Sequence, residues 1–222
     1  MLLRRGVFEK NGSDRPDPHR PDQCPVPLLS LKSLSKTRLI EPVIRFVAVI
    51  TNDERVRAWA YQCIEQRWGS IAEQSAPMPF EAGGFYTEAM GGSLQKTLVA
   101  IAAPIDPVGL ADWKTQTNEW ELEAAGQLPH SHARPLNLDP GYITQAKLVL
   151  ATVKDRDHRI YLKDGIFGEI TLTYVGRQWV HHRWTYPDYR TEEVIEFAMR
   201  CRTRLRQHLM ETGAFRVVKH ES

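Results

Sequence analysis

Residues 158–175, HRIYLKDGIFGEITLTYV, constrain the fold more than any other stretch of this chain. Two alternating runs flank Lys163-Asp164-Gly165, and apolar–polar alternation is the mark of a half-buried strand. A three-residue loop with glycine last predicts a hairpin closed by a type I turn and a glycine bulge. In that register Ile160, Leu162, Ile166, Ile170, Leu172 and Tyr174 share one face. Arg159, Tyr161, Glu169, Thr171 and Thr173 take the other, with Arg159 directly across from Glu169. A two-residue Asp164-Gly165 loop would mix apolar and polar side chains on both faces, so the three-residue form is the expectation.

Upstream, VIRFVAVIT (43–51) is β-branched enough for a buried strand. A helix follows to Gly69, capped by Thr51, Asn52 or Asp53, with Val56, Trp59, Cys63 and Trp68 inward. GGFYTEAMGG (83–92) reads as a short strand, and LQKTLVAIAAP (94–104) as a second. The segment from Asp106 to Gly126 is a helix with Pro107 in its first turn and Leu110, Trp113, Thr117, Trp120 and Ala124 inward. RPLNLDPG (134–141) and AKLVLATV (146–153) supply further strands. A last helix carries Val194, Ala198, Cys201, Leu205 and Leu209 on one stripe and ends at Gly213. The expected class is α+β: a mixed or antiparallel sheet with a βαββαβ, ferredoxin-like first half, an added C-terminal hairpin and a closing helix. The domain should span 42–212. Residues 1–41, interrupted by prolines and without apolar period, read as a disordered tail or an over-extended gene start, and 213–222 as a C-terminal tail.

Composition excludes classes more than it selects one. Of the 222 residues 42% are hydrophobic and 25% charged, as in ordinary globular chains. A net charge of +2 gives no bulk reason to expect nucleic acid, although a local patch is compatible with it. Arg200, Arg202, Arg204 and Arg206 on the last helix spread around its axis and make a poor nucleic-acid stripe. The three cysteines, Cys24, Cys63 and Cys201, form no CxxC and suggest neither a disulfide framework nor zinc. No run reaches the ~18 apolar residues of a membrane span, and no secretory leader is recognisable, so a cytoplasmic location and no membrane partner are the default expectation. P-loop, GxGxxG, GxSxG, HExxH and paired CxxC motifs are absent, and the sequence leaves the cofactor unknown.

Several motifs carry chemistry beyond their structural use. In LNLDPGYI, Pro140 and Gly141 suit the centre of a type II turn and Asp139 its flank, which leaves Tyr142 over. KDRDHR (154–159) is a solvated loop on the plain reading; on the functional one His158 is a general base and Lys154 with Arg159 holds an anion. The hairpin register points His158 toward the apolar face, which favours the plain reading. In WTYPDYRT, Pro187 and Asp188 serve as a helix-start signal, while Tyr186, Tyr189 and Arg190 remain, Arg190 beside a helix N-terminus. Glu88 sits among glycines on the expected strand. His130 with His132, and His181 with His182, lack the acidic or cysteine company of metal ligands, so no metal site is expected.

These motifs occur in the order of a known family. Asn137 to Tyr142, Lys147 to Thr152 with Lys154-Asp155, His158 to Leu162, and Trp184 to Arg190 resemble an uncharacterised bacterial family, domain of unknown function 4416. Tyr86 to Gly91 resembles a further element of it, although a second tyrosine and a Glu-Met-Gly ending are more usual there. The resemblance covers about residues 43 to 208, implies that the motifs belong to one domain, and carries over no catalytic residue.

Taken together, the residues suggest a cytoplasmic enzyme acting on an anionic small molecule or nucleotide. Glu169, Asp139 and His158 are the candidate acid/base groups. Arg159, Lys154, Tyr142, Glu88, Tyr186, Asp188, Tyr189 and Arg190 are candidate ligand contacts on a polar sheet face. The alternative is a non-catalytic domain that uses that face for RNA or protein, with Tyr161 and Phe167 as surface aromatics. A third, a metal-dependent hydrolase, would need three of Glu88, Asp139, His158, Glu169 and Asp188 to converge.

Overall fold

The computed structural model describes residues 40–81 and 85–215. Of the expected tails, 1–39 and 216–222 lie outside the described residues. The fold is α+β, with every strand pairing antiparallel.

The chain runs β1 (Ile44–Thr51), α1 (Glu54–Trp68), β2 (Ile71–Gln74), β3 (Met78–Pro79), α2 (Phe85–Met90), β4 (Gln95–Ile101), α3 (Leu110–Gln127), β5 (Asn137–Ile143) and β6 (Lys147–Thr152). It continues as β7 (Ile160–Lys163), β8 (Ile166–Val175), β9 (Gln178–His181) and α4 (Glu192–Thr212). The sheet order is β2-β4-β1-β5-β6-β8-β7, with β3 beside β4 and β9 beside β8. β1 is buried along its whole length because both sheet faces are covered. Val47, Val49, Val99, Ile101 and Leu138 lie beneath α1 and α3. Phe46, Ala48, Leu98, Ala100 and Leu172 lie beneath α4. The inward stripes expected for α3 and α4 are buried as read, and Gly213 ends α4 at φ 66. In α1, Trp59 is only half-buried, and Ala60 and Ile64 complete the stripe instead.

Asp53 is the cap of α1: its carboxylate accepts the Arg55 N–H at 2.8 Å. Asp53→Ala should therefore cost about 1 kcal/mol in urea unfolding, with the fold otherwise unchanged.

Three local expectations are corrected. Residues 85–90 form the short helix α2, and the second strand of the βαββαβ succession is β2, which polar Ile71-Ala72-Glu73-Gln74 does not advertise. Residues 139–142 are no turn: β5 runs straight through them, with Pro140 opposite Val47. Proline offers no N–H to a ladder, and pairing with β6 starts only at the next residue, Gly141↔Leu150. Gly141 permits that approach, since a Cβ there would stand 2.2 Å from the Val149 carbonyl oxygen.

The hairpin keeps its expected register, Ile160↔Gly168 and Tyr161↔Phe167, but not its turn. Lys163↔Ile166 closes a two-residue loop in which Asp164 (φ 51) and Gly165 (φ 75) are both left-handed, the pattern of a type I′ turn. A register shift between Tyr161 and Lys163 absorbs the extra residue, and a second, between Leu172 and Ile170, interrupts the ladder to β6. Each bulge changes which face follows, so the expected single apolar face is split. Ile166 joins the core under α1 and α3, Leu172 joins that under α4, and Ile160 is 71% exposed. Glu169 and Thr171, expected on an open polar face, are buried.

Candidate functional site

Beyond Gly141 the strands β5 and β6 part, and a cleft of about 580 Å³ occupies the gap. Asp139, Lys154 and Arg159 line it, as do Glu169, Tyr186, Asp188 and Tyr189. The other four candidates lie elsewhere. Tyr142 packs against the core under α1 and α3, where burial raises its phenol. Glu88 is exposed on α2. Arg190 donates to the carbonyls of Thr185 (2.8 Å) and Arg183 (3.4 Å). His158 stands behind Glu169.

Sequence reasoning missed half of the polar wall. Lys114 and Glu121, seven apart on the buried side of α3, form one network with Arg134, Asn137 and Asp139. Lys114 Nζ donates to the Leu138 carbonyl at 2.7 Å and to Asp139 Oδ1 at 3.1 Å. Asn137 donates to Asp139 Oδ2 at 2.9 Å. Arg134 donates to Glu121 Oε2 at 2.7 Å and to the Asn137 amide oxygen, and Glu121 Oε1 accepts the Leu138 N–H at 2.7 Å. Two charged residues inside an otherwise apolar helix stripe were the available signal.

Burial alone would raise the Asp139 carboxyl, but the Lys114 ammonium and the Asn137 amide outweigh it and hold it below the usual range. Glu121 is the reverse: burial raises it, and Lys114 and Arg134 only partly oppose. The depressed Asp139 stabilises the fold fully above its unfolded value near ~4 and progressively less as pH falls through the lower folded one. Asp139→Asn should thus lose about 1–3 kcal/mol at pH 7. Its stability should also fall less than the parent's between pH 5 and ~3 in urea titrations.

Asp188, read as a helix-start residue, is the middle residue of a short 3₁₀ turn (Pro187–Tyr189), and α4 starts only at Glu192. Its carboxylate takes Lys96 Nζ at 2.7 Å, and its carbonyl takes the same ammonium at 3.0 Å. Lys96 is fully buried on β4, 3.7 Å over the Tyr189 ring; burial depresses the ammonium and Asp188 opposes that. The Tyr189 hydroxyl is buried without a hydrogen-bond partner, and burial, then Asp188, pushes it well above its ordinary value.

The third group surrounds Glu169. Arg159 Nε donates to its Oε2 at 2.7 Å, with both side chains only 2% exposed. Arg159 also donates to the Lys154 carbonyl (2.8 Å) and the Tyr186 hydroxyl (3.3 Å). Burial would lower Arg159, yet Glu169 and Tyr186 leave it raised. Thr171 donates to Glu169 Oε1 at 3.2 Å. His158 places Nε2 3.2 Å from Glu169 Oε2 and Nδ1 3.0 Å from Asp157 Oδ1, so it does not join the apolar face. Among the described residues, no group of three or more His, Cys, Asp or Glu side chains is arranged to hold a metal ion, and no helix is long and apolar enough to cross a membrane.

No curated protein and no solved structure matches the chain. The family described as Domain of unknown function (DUF4416) matches residues 41–205, a span that begins before β1, takes in the whole cleft and reaches into α4. The motifs that converge here are therefore those of one family domain, and the chain belongs to that family.

Proposed function

We propose that the chain is a cytoplasmic enzyme that binds an anionic small molecule or nucleotide in the β5–β6 cleft and moves a proton on it. One observation carries the reading: carboxylates and cations up to 92 residues apart meet in or behind one concave site beside Tyr86, Leu150 and Tyr186. An apolar-walled pocket of this size with a few convergent polar groups is the usual form of a small-molecule site. Glu169 and Asp139 are the acid/base groups within reach of a ligand. Arg134 and Lys154 both line the cleft and are the cations assigned to the anion. Arg134 is partly exposed, and its guanidinium lies 5.6 Å from the Tyr86 ring centroid.

The test is calorimetric titration with adenosine 5′-monophosphate and pyrophosphate, with native mass spectrometry of freshly purified protein for co-purified anions. A bound anion weakened on the order of tenfold or more by Arg134→Gln is expected. Absence of any bound anion, or binding indifferent to that substitution, would sink the reading.

One observation favours the non-catalytic alternative. Tyr161 is exposed and packs edge-to-face on Phe167 at 5.5 Å, an aromatic pair of the kind that stacks single-stranded RNA. Helices cover both faces of the central sheet, which leaves that reading only the hairpin edge. Binding of single-stranded RNA abolished by Tyr161→Ala would favour it.

A further inference from the structure

The ring of His158 is asked for two hydrogen bonds by two acceptors. Nδ1 lies 3.0 Å from Asp157 Oδ1 and Nε2 3.2 Å from Glu169 Oε2. Ionised carboxylates only accept, whereas a neutral imidazole has one N–H and one lone pair. A neutral ring would therefore set a lone pair against a carboxylate oxygen on one side: against Asp157, which is 67% exposed, or against Glu169, which is 2% exposed and where that is costly. We propose that His158 is a resident imidazolium, and that with Glu169 it holds the proton the cleft chemistry uses; this rests on the cleft being an acid/base site.

The surroundings agree with a charge on the ring. Asp157 does not hold the proton, since Arg183 at 2.7 Å, and then His158, pull its carboxyl down to about 2. Glu169 receives Arg159 Nε at 2.7 Å and the Thr171 hydroxyl at 3.2 Å. With His158 charged, Arg159, Glu169, His158, Asp157 and Arg183 alternate in sign from the cleft wall to the surface. With it neutral, two carboxylates flank an uncharged ring. Trp184 stacks on His158 at 5.1 Å and 12°, a face that favours a cation. The groups that face the ring are thus Glu169 from β8, Asp157 from its own loop, and Arg159 and Arg183 through these. His182, after β9, shares the Trp184 indole at 4.7 Å and is 2.9 Å from the Thr173 hydroxyl.

The transfer balances without any co-reactant. The His158 Nε2–H bond breaks as Glu169 Oε2–H forms, and that proton then passes from Oε2 to the ligand. The ring is left neutral, its Nδ1–H held by Asp157. In the reverse direction Glu169 takes a ligand proton and returns one to Nε2. Asp157, Arg183 and Trp184 act on the ligand only through His158 and are positioning residues.

Two-bond ¹H–¹⁵N spectra of the histidine rings, on ligand-free full-length protein at pH 7.5, test this directly. Both His158 nitrogens should carry the shifts of a protonated ring. A lone-pair shift at either His158 nitrogen overturns the proposal. Glu169→Gln should lower the charged-to-neutral ratio of His158 on the order of tenfold or more, by removing the facing charge. An unchanged ratio in the folded variant also overturns it, and if that variant does not fold, the spectrum of the parent protein still decides. Because no ligand is present, a charged His158 without anion binding would sink only the cleft reading. A neutral His158 with anion binding would sink only the proton store.

Discussion

Glu169→Ala is expected to lower the stability of the fold by about 3–5 kcal/mol, the usual cost of leaving a buried charge without its partner. Arg159 is 2% exposed and would keep only the Lys154 carbonyl and the Tyr186 hydroxyl. The loss should come from the stranded guanidinium more than from the missing carboxylate. That claim separates from simple truncation by a double-mutant cycle in urea at pH 7.5. Arg159→Met with Glu169→Leu should recover the part of the single loss that comes from the stranded guanidinium, because an apolar pair of similar volume replaces a buried ion pair at little cost. The part that comes from His158 losing its Glu169 acceptor remains. If Glu169→Ala alone loses under ~1 kcal/mol, the pair is solvated in solution and the burial argument for this wall of the cleft is wrong.

The second large effect is Gly141→Ala. The new Cβ would stand 2.2 Å from the Val149 carbonyl oxygen and 2.8 Å from the Phe46 ring. An aromatic ring can shift by a rotamer, but a backbone carbonyl in a central ladder cannot move without separating the strands. A loss of about 3 kcal/mol or more is expected, at the upper end for overpacking. Hydrogen exchange should localise it, with the Val149 and Leu150 amides losing protection before those of β1 and β4. Shrinking the ring in Phe46→Leu/Gly141→Ala should not rescue stability. Rescue would mean that the ring, not the ladder, is the constraint.

How much of this was legible can be traced residue by residue. Period-two alternation around Asp164-Gly165 put Arg159 opposite Glu169, and that pair is present at 2.7 Å. Helical spacing identified the buried stripes of α3 and α4. The turn itself was misread, because the choice between two and three residues depends on whether a bulge can take the extra residue, and a bulge leaves no mark in apolar periodicity. Phe85–Met90 was read as a strand although Glu, Ala and Met favour helix; six residues are too few for a helical period to emerge. Lys96 shares its face of β4 with Leu98 and Ala100, and that out-of-place charge was the clearest missed sign of a buried partner.

At Asp139-Pro140-Gly141 the local turn chemistry is strong, and the tertiary context overrides it. Between β1 and β6, Pro140 is tolerated because the β6 ladder begins one residue later, and Gly141 because β6 presses against it. Neither condition exists until both neighbours are in place. Asp188 behaves likewise: its partner, Lys96, is 92 residues away.

The sequence by itself determined the α+β class, the buried strand β1, the two long helix stripes and the Arg159–Glu169 pairing, since each follows from periodicity within about twenty residues. Only the tertiary structure decided where β5 and β6 part, which polar residues reach the gap, and which are spent on structure. Those outcomes depend on ladder ends, bulges and ion pairs between distant segments, and a periodic pattern within one segment holds no information about the segment that will face it.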